Sequence, residues 1–227
     1  MRLVGAIVML AVLAGCTDTA PTSRTPAPAA PPSVTPTSPK PTLRPSTSTP
    51  TPTPRPTVAG PVSMTIPAAG VRGLRVVAYV GTADDRPGTK IQNRGVAASP
   101  RGKAGGVGPG EIGNFIITGH RVSHGRPLEH VPELRTGDHI LVTAGRTVYD
   151  YVVSRTMTIS FRKPAEKAQQ NAAVPGKPGA RPTQAMITIS TCATIEDHAA
   201  GNYWHDELGN PEHRINKIGV LVATRPA

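Results

Sequence analysis

Aromatic residues are scarce in this chain: two Phe, one Trp and four Tyr supply 3% of its 227 residues. Proteins that hold nucleic acid strands stack bases on aromatic platforms set among basic residues. Here the Lys and Arg side chains are scattered and no aromatics are interleaved with them, so nucleic acid is not an expected partner. Acidic residues are few as well. Fourteen Asp and Glu face 25 Lys and Arg, a formal charge of +11 that suits an anionic membrane surface or an acidic cell wall. Cysteine occurs only at Cys16 and Cys192, which leaves no basis for a disulfide framework. The apolar run at residues 3–13 falls short of the ~20 residues a membrane-spanning helix needs. It has the length of a signal-peptide core, behind the single positive charge of Arg2.

Proline, by contrast, is abundant and unevenly placed. Thirteen of the 26 prolines lie within residues 17–58, among Thr, Ser and Ala with almost no bulky apolar side chains. Such a stretch cannot bury enough surface to offset the entropy of ordering, so it reads as a linker in extended polyproline conformation. Fully extended, it would reach on the order of 100 Å. Its Ser/Thr-Pro composition also permits O-glycosylation. The signal-like run ends in Leu13-Ala14-Gly15-Cys16, which resembles the lipobox of bacterial lipoproteins. That resemblance implies that residues 1–15 are a signal peptide, that Cys16 is the lipidated new N-terminus, and that residues 16–58 tether the rest to the membrane. Two acyl chains give stable attachment, since each buried CH₂ contributes ~0.8 kcal/mol. The expected location is the outer face of the cell membrane. Residues 59–227 have ordinary mixed composition and read as one folded domain. Residues 1–58 carry a net +4, so +7 remains on this domain.

Short β-type runs dominate the domain: residues 63–66, 74–80, 115–118, 139–143, 148–154, 186–190 and 218–223. Several alternate apolar and polar residues, as half-buried strands do. Ala144-Gly145-Arg146-Thr147 reads as a hairpin turn. The only helical stretch expected is short, around residues 127–134. Many short strands with Gly/Pro punctuation predict a mainly β fold, a closed or nearly closed barrel with little helix. Residues 82–110 and 162–182 read as long loops, the second either a substrate-binding wall or merely mobile.

Once Cys16 is assigned to the anchor, the domain has a single thiol, Cys192, at the end of an apolar strand and the start of a polar loop. That position can present sulfur to a substrate. Of seven His, His120 alone ends a buried run, Asn114-Phe115-Ile116-Ile117-Thr118-Gly119, behind a Gly that allows close backbone approach. A thiol of ordinary pKa is only ~3% ionised near pH 7 and needs a cationic neighbour to become an effective nucleophile. An imidazole can protonate a leaving amine and deprotonate an incoming one.

The stretch from Pro109 through His120-Arg121, its continuation Gly125-Arg126-Pro127-Leu128, and Ile187-Thr188-Ile189-Ser190-Thr191-Cys192 resemble the His and Thr-Cys signatures of bacterial sortases, especially the actinobacterial class E type. The resemblance covers about residues 62–223. It implies a sortase-type closed β-barrel of about eight strands with one or two short helices, in which Cys192 attacks a sorting-signal peptide bond, typically within Leu-(Pro or Ala)-x-Thr-Gly-like sequences. The acyl-enzyme is then resolved by a cell-wall or pilin amine. Its implied partners are surface proteins with a C-terminal sorting signal and that amine acceptor; it implies no cofactor and no metal. It also implies an oxyanion-stabilising Arg on the last core strand.

Here the sequence departs from the family: residues 193–212, with the only Trp in Tyr203-Trp204, separate Cys192 from the next cations. Tyr203 and Trp204 are expected to pack a loop against the barrel rather than wall a groove. Arg214 is taken as the oxyanion donor for its forked, permanent charge, with Lys217, nearer the last apolar run, as the alternative. The displaced Arg keeps a second reading open, a catalytically impaired barrel serving as a tethered wall-binding module. Ser123-His124-Gly125 resembles part of the L,D-transpeptidase motif, but Arg126 stands where that family has its nucleophile. A metal site at His120 and His124 lacks carboxylate or thiolate partners nearby.

Overall fold

The computed structural model describes residues 61–227; the expected signal peptide, lipidation at Cys16 and linker fall outside the described residues. Eight strands close into a barrel: β1 (Val62–Ile66), β2 (Val71–Val80), β3 (Ala97–Arg101), β4 (Gly113–Thr118), β5 (His139–Ala144), β6 (Thr147–Ser160), β7 (Ala185–Cys192) and β8 (His213–Pro226), in the order β1-β2-β3-β4-β7-β8-β6-β5. Closure leaves no exposed edge among them. The β2/β3 and β4/β7 pairs are parallel and the others antiparallel. Three short helices lie between strands: α1 (Arg86–Gln92), α2 (Pro164–Asn171) and α3 (Thr194–Ala199). The expected barrel is present, with one helix more than expected.

Its interior is filled by side chains such as Met64, Phe115, Ile117, Ile140, Ile187 and Ile189, all fully buried. β4 and β7 are buried along nearly their whole length because both of their faces are covered. Their second face carries a polar row rather than an apolar one. Thr188 Oγ1 donates to Asn114 Oδ1 (2.8 Å), Gln170 Nε2 of α2 to Ser190 Oγ (2.7 Å), and Gln92 Nε2 of α1 to Thr118 Oγ1 (2.9 Å). Buried polar groups persist only when paired in this way. The turn between β5 and β6 is the expected hairpin, with Ala144 paired to Thr147 and Gly145 at a left-handed φ of 58°.

Three expectations fail. The helix at residues 127–134 is only a 3-10 turn, Val131–Glu133. Pro132 lacks the N–H that an α-ladder requires, and Val131 N–H instead closes a tighter bond to the Leu128 carbonyl (3.2 Å). Residues 82–110 are not all loop but hold α1 and β3. Residues 162–182 likewise hold α2, begun by Pro164.

Candidate active site

The strand register decides which side chains meet. β4 and β7 run parallel, with Thr118 paired to Ser190. Two residues further, at the same end of both strands, stand His120 and Cys192. Gly119 ties these ends together: its N–H donates to the Ser190 carbonyl (3.2 Å) and its carbonyl accepts from Thr191 Oγ1 (2.9 Å). A Cβ on Gly119 would lie 2.8 Å from Leu128 Cδ1, so the close approach expected of this Gly is a packing requirement. On the other side of β7, Cys192 is directly paired with Arg214 of β8. Directly opposed residues share a face of a sheet.

Arg214 and Lys217 were expected ahead of the last strand; both lie inside it, because β8 begins at His213. Three residues apart, they point to opposite faces. Arg214 faces with Cys192. Lys217 instead sends Nζ to the Leu134 carbonyl (2.6 Å) and Thr156 Oγ1 (2.9 Å). The intervening insertion folds as α3 and a loop whose ends are pinned: the Ala193 N–H donates to the His213 carbonyl (3.0 Å), and Asp197 accepts the His213 N–H (3.0 Å).

An open cavity of about 360 Å³ is lined by Cys192, His120, Asn93, His124 and the insertion, including Tyr203 and Trp204. Tyr203 is 68% exposed, so it walls the cavity instead of packing on the barrel. Its position could not be read from composition, since a packed and a rim aromatic look alike in sequence. The His120 ring stacks on His124, with centroids 4.5 Å apart, and its Nε2 lies 2.7 Å from Asn93 Oδ1. Burial, aided by His124 and Arg214, lowers the His120 pKa against the upward pull of Asp84. Burial pushes the Cys192 thiol up, and Asp84 and Asp206 add to that, while Arg214 and Arg121 oppose it. The resting pair is therefore mostly neutral thiol and neutral imidazole. Alkylation of Cys192 by iodoacetamide is expected to rise with a midpoint above 9.0, the ordinary thiol value; a midpoint below it would mean that Arg214 outweighs burial.

Arg214 is fully buried, and the Asp84 carboxylate paired with its Nε helps hold its charge against the penalty of burial. The guanidinium lies 3.9 Å from the centre of the Phe161 ring. Its Nη2 has no hydrogen-bond partner among the described residues. Asn93, Asp84 and Arg121 were not singled out from sequence. Arg121 is buried, ion-paired with Glu196 and directed at the Cys192 carbonyl (3.5 Å). The signal for α1, an Asp cap followed by Pro at Asp85-Arg86-Pro87, was present in a stretch read as loop. No cluster of metal-ligating side chains occurs among the described residues.

A sortase-domain family model matches residues 64–204. Among solved structures, sortase E of Streptomyces avermitilis superposes with a TM-score of 0.52 at 23% identity, over 73% of this chain and 89% of that one. Sortase E1 of Streptomyces coelicolor, solved with a tripeptide in its active site, gives 0.55 at 22%, over 74% and 90%. The SrtA sortase of Actinomyces oris gives 0.54 at 19%, over 79% and 89%. At these identities the likeness is one of fold. No curated protein matches the sequence. The family match ends at Trp204, ahead of the strand that carries Arg214.

Proposed function

The chain belongs to the sortase family, and on that premise we propose that it is a cysteine transpeptidase acting on Leu-x-x-Thr-Gly-like sorting signals. One observation carries the roles. The parallel β4/β7 register and the antiparallel β7/β8 pair bring the His120 strand end, Cys192 and Arg214 together, with Cys192 and His120 lining one cavity and Arg214 buried next to Cys192 in the sheet. Cys192 passes its proton to His120, and the thiolate attacks the scissile carbonyl carbon. The carbonyl π electrons move onto oxygen, and Arg214, whose buried Nη2 has no partner among the described residues, is the proposed donor to it. Collapse expels the amine, which takes the proton from His120 and leaves a thioester on Cys192. An acceptor amine from cell wall or pilin then attacks the thioester and gives its proton to His120, the Cys192 thiolate leaves, and His120 returns the proton to it. The binding-module alternative drew its support from the displaced Arg; the pairing of Arg214 with Cys192 favours the enzyme.

The export signal, lipidated Cys16 and linker complete the proposal as a tether that holds residues 59–227 outside the membrane. Incubating the full-length chain with Leu-Pro-x-Thr-Gly and Leu-Ala-x-Thr-Gly peptides should give a Cys192 thioester detectable by mass spectrometry. An added amine should discharge it into a transpeptidation product. A peptide library that yields neither adduct nor cleavage refutes the activity.

A further inference from the structure

Arg214 offers several N–H donors, and a buried guanidinium needs partners that decide which of them remains free. Nε donates to Asp84 Oδ2 (2.9 Å), and Nη1 to the carbonyls of Pro211 (2.7 Å) and His213 (3.2 Å). Asp84, 8% exposed, spends its other oxygen on Gln92 Nε2 (2.8 Å), which also donates to Thr118 Oγ1 (2.9 Å). This chain of bonds runs from β4 to β8, the two strands that flank β7 and its Cys192. Asp84 also sits at φ 58°, a left-handed conformation uncommon for residues other than Gly. The helix cap is supplied next door by Asp85, whose Oδ1 accepts from the Gly88 N–H (2.8 Å). Asp84 thus keeps an unusual backbone conformation and a buried charge while doing no capping.

We infer that Asp84 is a positioning residue that clamps Nε of Arg214, with Gln92 as its brace, so that Nη2 is the donor left to the reaction. The inference rests on the transpeptidase reading above. A contact that instead withdraws Arg214 from the site has the opposite sign: its loss raises turnover.

Asp84→Asn in the full-length chain is the direct test, because Asn tolerates positive φ and keeps the shape while losing the charge. Peptide-cleavage kcat is expected to fall by about 100-fold, the scale of a lost oxyanion donor. KM should stay within about twofold, as for an interaction made in the transition state. Both limbs of the pH–rate profile should move to lower pH, since the Asp84 carboxylate raises both Cys192 and His120. The other charges that face these groups are Arg214, Asp206 and Arg121 at Cys192, and His124 and Arg214 at His120.

Gln92→Met keeps the charge but removes the brace, and should cost on the order of 10-fold in kcat through misplacement. It decides the matter if Asp84→Asn does not fold by circular dichroism. Turnover near the parent's in the folded variants, or a rise, overturns the inference. If the parent chain itself cleaves nothing, the transpeptidase reading has failed, and the alkylation midpoint of Cys192 becomes the readout. A shift in Gln92→Met, which alters no charge, supports the clamp, and an unchanged midpoint removes it.

Discussion

Cys192→Ala is expected to abolish cleavage of a Leu-x-x-Thr-Gly-type peptide, a loss of roughly 10⁶-fold by analogy with removing the nucleophile of other acyl-transfer enzymes. Cys192 is the only free thiol among the described residues, and the hydroxyls that share its cavity, Ser123 and Thr194, are far weaker nucleophiles. The change is small and Cys192 is only half-buried, so folding should be little affected and the loss can be read as chemistry. Cys192→Ser is expected to fail as well. A hydroxyl ionises far less readily than a thiol, and the burial that already raises the thiol would act on it in the same direction. Comparable turnover in a folded Ala variant would sink the covalent mechanism and leave the fold without its proposed chemistry.

Legibility followed the physical distinctness of each element. β4 and β7 stood out because apolar residues run through strands buried on both faces, and their ends are marked by Gly119-His120 and Thr191-Cys192. β3 was hidden because Pro100 removes a donor from it, and a single pair, Ala98 with Thr118, joins it to β4. α1 includes Pro87 and Gly88, poor helix formers, and Gly88 is required there by the Tyr79 hydroxyl, 2.3 Å from where its Cβ would sit. At the site, Cys192 and His120 were legible as strand ends, whereas the cation was ambiguous. The residues His213–Lys217 look polar because Arg214 and Asn216 belong to the buried polar face of the sheet, not because the strand has yet to begin. Pairing across β7 and β8 puts Arg214 opposite Cys192, a placement that spacing along the chain could not show. The Asp84 contact joins residues 130 apart, and no local pattern announces it.

That pairing sets up the second large effect, an unequal response of the two β8 cations. Arg214→Ala is expected to lower turnover by about 10² to 10³-fold, the range for loss of an oxyanion donor. It should also destabilise the fold, because Asp84 is left buried without its cation, a situation that costs about 3–5 kcal/mol. Arg214→Lys should recover little, since one ammonium cannot engage Asp84 and the Pro211 carbonyl and still present a free donor. Lys217→Ala makes the contrasting case. Its Nζ is committed to Leu134 and Thr156 on the other face, so its loss strands a buried carbonyl and costs about 1–3 kcal/mol of stability. Turnover of the folded Lys217 variant should stay close to the parent's. Stability therefore falls in both variants, and only the Arg214 change moves catalysis. Thermal melts beside peptide-cleavage rates separate the two quantities. If Lys217→Ala is the variant that loses turnover, the oxyanion role passes to Lys217 and the Asp84 clamp loses its purpose.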